Sequence, residues 1–278
     1  MEVVARIGEL GGSLTRSERL VAEVVLARPQ LVAFGTVAEL AGASGAGAAT
    51  VVRLASKLGF DGFSGLQASI RDDLARQLRP AAERIREHPS GPLVEQSLAV
   101  ERSNVQASLA GVEDSQLEVA ARRLADPAGR VLVLSGDASR GVAQQFVGDL
   151  GVLRDGVCLL DGNEIAVARQ VALLRPIDVM VTLDLRRYER WVVDVARSAA
   201  DAGVWSLALT DSVLSPLAAV AEVTFVVSAA SAGPFDSHVG TLAVFNLLVA
   251  SVAEQLRDVA TERIDLLEAA WRSSFAES

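Results

Sequence analysis

The apolar positions change period along the chain. Up to residue 80 they recur at helical spacing: Leu20, Val21, Val24 and Val25 share one face behind Thr15 or Ser17, either of which can cap a helix, and Pro29 ends the segment. Thr36 opens a short helix predicted over 37–41. After the small-residue stretch 42–47 a further helix carries Val51, Val52, Leu54, Ala55 and Leu58 until Gly59 stops it. Two short helices joined by a tight turn with a glycine form a helix-turn-helix, whose second helix can enter a major groove.

Pro80, Pro89 and the Ser90-Gly91-Pro92 cluster break the helical pattern and mark a boundary. Helical segments near 93–110 and 115–125 follow. Strand-length apolar runs then appear at 131–134, 157–160, 178–182, 205–209 and 223–227, spaced widely enough for a helix between each pair. That alternation predicts βαβ crossovers and a parallel sheet covered on both faces. The expected fold class is α/β: an all-α head over 1–80, a linker and connecting helix over 81–114, and a doubly wound domain with a five-stranded parallel sheet over 115–278. Ligands of such a sheet sit at the carboxyl ends of the strands, near the topological switch point.

Composition narrows the function. The 278 residues carry a formal charge of -9 and half of them are apolar, which excludes a disordered tail and a uniformly basic nucleic-acid coat. Residues 1–80 hold 9 basic and 8 acidic side chains and the remainder 17 and 27, so a near-neutral head of +1 joins a body of -10. One cysteine (Cys158) and two histidines (His88, His238) leave no disulfide framework and no all-Cys/His zinc site, and no cofactor or metal is expected. Between Asp236 and Glu254 lie 17 uncharged residues, fewer than the roughly 20 a spanning helix needs, and no secretory pattern opens the chain. A cytoplasmic protein is expected.

Within 36–66 stand Glu39-Leu40-Ala41, the turn glycine Gly45, Thr50-Val51-Val52-Arg53 and Leu58-Gly59-Phe60-Asp61-Gly62-Phe63. This run closely resembles the helix-turn-helix of the RpiR-type bacterial transcriptional regulators. Where that family usually places Ser before the recognition helix, this chain has Gly47, at a cost of a few tenths of a kcal/mol and one polar phosphate contact. Thr50 and Arg53, three apart, and Arg53 and Lys57, four apart, fall on one helical face. Small residues at Ala48 and Ala49 allow close approach, and Arg is the commonest reader of guanine edges. The resemblance therefore implies operator DNA as partner, met by Gly47, Ala48, Thr50, Arg53 and Lys57. The bland reading of the two cations is a solvated helix face.

Thr210-Asp211-Ser212-Val213-Leu214-Ser215-Pro216-Leu217-Ala218 and Phe235-Asp236-Ser237-His238 resemble the same family's C-terminal sugar isomerase (SIS) domain, which implies an effector site for phosphorylated sugars. Two loops depart from it. Ser135-Gly136-Asp137-Ala138-Ser139 stands where Gly-x-Gly-x-Ser is usual, and in 182–188 Asp184 replaces the second Ser of a hydroxyl cradle. Arg186 and Arg187 are expected to supply the anion's countercharge, with Asp184 holding one of them. The bland reading makes the arginines surface ion pairs or a subunit contact. The expected effector set is Ser135, Gly136, Ser139, Thr182, Asp184, Arg186, Arg187, Thr210, Ser212 and Ser215. The expected effector is a small anionic metabolite, a sugar phosphate or a related acid.

An SIS-type isomerase or lyase is the alternative, and it needs a general base. Glu164, Glu189, Glu222 and His238 are the candidates, but no spacing singles out a pair, so no catalytic residue and no enzyme is expected. His238 suits capping or packing, and Cys158 a small buried hydrophobe. A body that serves only to dimerise is the third reading. Two half-sites on DNA predict a homodimer or dimer of dimers, with 241–252, Leu266, Leu267 and Trp271 as interface material.

Overall fold

Thr15, not Ser17, caps the helix predicted over Leu20 to Val25. Its hydroxyl accepts the Glu18 N–H while the Glu18 carboxylate accepts the Thr15 N–H at 2.9 Å, a reciprocal capping box that opens α1 (Arg16–Ala27). Pro29 does follow the end of α1, but it also begins α2 (Pro29–Phe34), a helix the spacing did not predict; proline's fixed φ suits a first helical position. Thr36 and Glu39 repeat the capping box and open α3 (Val37–Ser44), which runs past the predicted Ala41 because the left-handed turn comes only at Gly45, φ 64°. α4 (Ala48–Lys57) and α5 (Gly62–Gln77) complete this head. Val21, Val25, Leu40, Val51, Leu54 and Leu66 fill its core.

In this computed structural model residues 3, 6, 7, 10, 13–77, 81–86, 91–213 and 215–275 are described, and the chain divides into two units, Met1–Pro80 and Ala81–Ser278. Pro80, Pro89, Ser90 and Leu214 lie outside the described residues.

The second unit begins with α6 (Ala81–Arg86), α7 (Leu93–Ala110) and α8 (Asp114–Ala125). Then β1 (Val131–Ser135), α9 (Arg140–Leu153), β2 (Val157–Leu159), α10 (Glu164–Ala172), β3 (Val179–Leu183), α11 (Arg190–Asp201), β4 (Trp205–Thr210) and β5 (Val223–Val226) alternate. α12 (Val239–Gln255) and α13 (Arg257–Phe275) end it. The five strands form one parallel sheet in the order β2-β1-β3-β4-β5. Alternate residues feed opposite layers. Val131, Val133 and Val181 face a core where Phe146 of α9 stacks on Phe245 of α12 at 4.2 Å. Leu132, Leu134 and Met180 face Val192 and Ala196 of α11.

The connecting helix expected over 93–110 forms as α7 and packs on the body: Asn104 and Ser108 are fully buried, and Asn104 donates to Ala230 O at 2.7 Å while accepting from Ser228 Oγ and Ala230 N. One expectation is corrected here. Most of the apolar face of 241–252 packs into the body's own core through Val244, Phe245, Leu248 and Val252 rather than lying open for a partner. Among the described residues no single helix is long and apolar enough to cross a membrane.

Candidate functional site

α4 buries Val51, Leu54 and Ala55 and leaves Ala48, Ala49, Val52, Arg53 and Ser56 exposed. Gly47 precedes it in extended conformation with no side-chain cap, so the first amides of the helix stay open to an acceptor such as a phosphate. The single open basic face expected of Thr50, Arg53 and Lys57 is corrected. Thr50 is buried at 8 % exposure and its hydroxyl accepts from Arg53 Nη2 at 3.2 Å. Lys57 Nζ donates to Ser13 O at 2.7 Å and to Glu18 Oε2 at 3.0 Å, tying α4 to the start of α1. Glu18, 4 % exposed, is held down to about 2 in pKa, first by the Thr15 amide and then by Lys57. Arg53 stands 3.7 Å from the other Glu18 oxygen but keeps its outer side in solvent. Sequence reading missed Val52 and Ser56, which the i, i+4 step from Ala48 would have found.

In the body, β1 and β3 flank the point where strand order reverses, and the loops after them meet. Gly136 is required there: a Cβ on it would stand 2.6 Å from Asp184 Oδ1 and 2.9 Å from Glu189 Oε1. Asp184 does not hold an arginine. Its carboxylate accepts the N–H of Leu185 at 2.9 Å and of Glu189 at 2.7 Å, folding the loop after β3 onto itself. Burial, opposed by these bonds and aided by the Glu189 and Asp211 charges, pushes its pKa up to about 6. Glu189 in turn accepts the Asp137 N–H at 2.5 Å on one oxygen and the Trp191 indole N–H at 2.6 Å on the other.

The remaining expected effector residues are scattered. Arg186, left-handed at φ 60°, gives its N–H to Asp211 at 2.9 Å and its Nη1 to Asp236 at 2.7 Å, where Arg84 also donates. With its side chain only 10 % exposed and paired, it is no free countercharge, which corrects its expected role. Arg187 is exposed, with no side-chain hydrogen bond or ion pair among the described residues. Thr182 reaches back to Leu207 O at 3.4 Å. Ser215 accepts the N–H groups of Leu217 and Ala218 and so shapes its own turn, and Thr210 is fully buried.

A cavity of about 410 Å³ opens at the ends of β1 and β2, over an apolar floor of Leu159, Leu160 and Val167. Its polar walls are Ser135, Asp137, Arg140, Asp161 and Glu189, with Trp191 beside them, and Arg140 pairs with Asp161. Of the expected effector set only Ser135 lines it; Gly136 and Ser139 lie in the adjoining turn, while Thr182, Asp184, Arg186, Arg187, Thr210, Ser212 and Ser215 do not line it. Arg140 and Asp161 were missed. A cation directly after Ser139, at the start of a predicted helix, was the available signal.

Two of the four candidate bases are accounted for. Glu222 accepts from Ser206 N and Oγ, and Glu189 is bonded at both oxygens. Burial lowers the pKa of His238, opposed by the Ala138 backbone, and its Nδ1 has no hydrogen-bond partner among the described residues. Cys158 is half-buried in β2 and burial raises its pKa, as befits a small hydrophobe. Glu164 opens α10.

A family model described as the helix-turn-helix domain of the rpiR family matches residues 1–77, and one described as the SIS domain matches 124–251. An HTH-type transcriptional regulator of Haemophilus influenzae is 28% identical over 271 residues, 94% of this chain and 93% of that one. The solved sugar isomerase domain of an RpiR transcription factor from Sphaerobacter thermophilus is 29% identical with a TM-score of 0.58, over 64% of this chain and 98% of that one. The NanR protein of Vibrio vulnificus, solved with ManNAc-6P, shares the fold at a TM-score of 0.57 and 20% identity, over 97% of this chain and 99% of that one.

Proposed function

The chain belongs to the rpiR family of helix-turn-helix transcriptional regulators, with a SIS domain as its second part, and on that premise we propose how each part works. The head binds operator DNA through α4, with Arg53 as base reader, Ala48, Ala49 and Val52 as the close apolar surface, and the uncapped amides after Gly47 against a phosphate. The body senses a small anionic metabolite, a sugar phosphate or a related acid, in the crevice at the ends of β1 and β2.

The observation that carries this reading is the 410 Å³ cavity at the switch side of the sheet, with Arg140 at the opening of α9. A guanidinium and a helix start together suit an acid group, and Arg140 has donors beyond the one it gives Asp161. That NanR of Vibrio vulnificus was solved with a sugar phosphate supports the same class. The crevice works by binding and not by turnover, a reading supported by Glu189 and Glu222, each already engaged in hydrogen bonds. The protein acts in the cytoplasm as a homodimer or dimer of dimers.

The test is an electrophoretic shift of the DNA upstream of the protein's own coding sequence, with and without a panel of sugar phosphates and sugar acids. A specific shift that one class of acid weakens or strengthens is expected. No shift on any upstream fragment, together with conversion of a sugar phosphate detected by NMR, would favour the isomerase alternative.

A further inference from the structure

We propose that the effector of this crevice carries a protonated amine beside its acid group, the amine seated against Glu189 and Asp137 and the acid on Arg140. The proposal rests on the crevice being the effector site and adds the chemical class of what enters it.

Charge on the cavity wall is unbalanced. Arg140 and Asp161 pair with each other, which leaves Asp137 and Glu189 facing the same space with no cationic partner among the described residues. Both Glu189 bonds come from neutral donors, the Asp137 amide and the Trp191 indole, so they orient the carboxylate without neutralising it. Asp184 brings a further carboxyl oxygen to the same glycine, and its own partners are backbone N–H groups. A plain dianion would meet this wall with repulsion.

Ser135 points to a ligand independently. It lines the cavity at 7 % exposure, and its hydroxyl makes no hydrogen bond among the described residues. Its oxygen opens on the cavity, where an incoming donor can meet it in place of water. An ammonium has three donors and no acceptor, so it can serve Glu189, Asp137 and the Ser135 oxygen at once. Trp191 adds an aromatic side chain, which attracts cations through its ring face. A metal ion is the poorer occupant: among the described residues no three acidic, histidine or cysteine groups converge as ligands.

The experiment is titration calorimetry on the full chain with matched pairs that differ only by amine against hydroxyl: glucosaminate against gluconate, and glucosamine 6-phosphate against glucose 6-phosphate. In at least one pair the amine member should bind about tenfold tighter or better, as a charged hydrogen bond implies. That preference should shrink to about threefold or less in Glu189→Gln and in Asp137→Asn. Asp137→Asn leaves the backbone bonds of the loop in place, so it keeps the test open if Glu189→Gln fails to fold. Equal or tighter binding of the hydroxyl members overturns the amine and leaves the crevice standing as the effector site. An amine preference that both variants retain also overturns it. Binding of no member of either pair, with no effect on operator mobility, overturns the amine and the effector reading together.

Discussion

Two carboxylates in this protein titrate in opposite senses, and each gives its domain a pH signature. Glu18 is depressed to about 2 from 4.5, so its contribution to the head is complete above 4.5 and is lost as pH falls toward about 2. Denaturation of wild type and Glu18→Gln should therefore converge on acidification. Asp184 is raised to about 6 from 3.8, so its protonated form favours the fold and its contribution is lost as pH rises through about 6. Wild type should gain on Asp184→Asn as pH falls from about 8 to about 5; wild type gaining on the variant as pH rises would contradict that placement. Arg53→Ala should cost about 1 to 3 kcal/mol of specific operator binding, read by mobility shift, if the guanidinium meets a base edge. Lys57→Ala should lower the head's melting temperature because it strips Glu18 of its ammonium. Sequence alone marked Asp184 as out of place in a phosphate cradle and Arg53 as the candidate reader. It could not tell that Asp184 takes backbone donors or that Lys57 belongs to Glu18, because both partnerships depend on which segments the fold brings together.

At the scale of elements, the strands were the most legible part. Val131, Leu132, Val133 and Leu134 form a short continuous apolar run with turn residues after it, and a sheet covered on both faces demands that pattern of every central strand. The observed bounds of all five strands fall within one residue of those predicted. α2 and α5 were not legible, the first because Pro29 reads equally as a stop and as a first helical residue, the second because Gly62 and Gly65 interrupt its pattern. α7 was legible as a helix but its burial was not: the buried face is polar at Asn104 and Ser108, so periodicity of apolar residues understates it. Asn104→Ala should cost about 1 to 3 kcal/mol in urea denaturation, since it strands the Ala230 carbonyl and the Ser228 hydroxyl in the interior. Phe245→Ala, which empties one ring of the stacked pair, should cost more, about 3 to 5 kcal/mol.

For the whole molecule, charge and symmetry set the terms of binding. A head of +1 attached to a body of -10 has no long-range attraction for DNA, so affinity rests on a few placed cations and open amides and should fall with salt along a shallow slope, since few counterions are released. One α4 also reads too few base pairs for a unique site, and two-fold pairing places a second copy about 34 Å along the duplex. The surface that would bring two copies together is narrower than sequence implied, since residues 244, 245, 248 and 252 are buried in the body's own core. What stays open is α13, where Leu266 is 73 % and Trp271 57 % exposed, with Val259 exposed on the same helix. These exposed apolar side chains make α13 the candidate association surface of the proposed dimer. Leu266→Glu with Trp271→Glu should therefore turn a dimer into a monomer in sedimentation equilibrium at micromolar protein. The same double variant should lose operator affinity while its head, remote in sequence, keeps its melting behaviour. A wild-type protein already monomeric under those conditions would remove α13 from assembly, and with it the two-half-site account of DNA recognition.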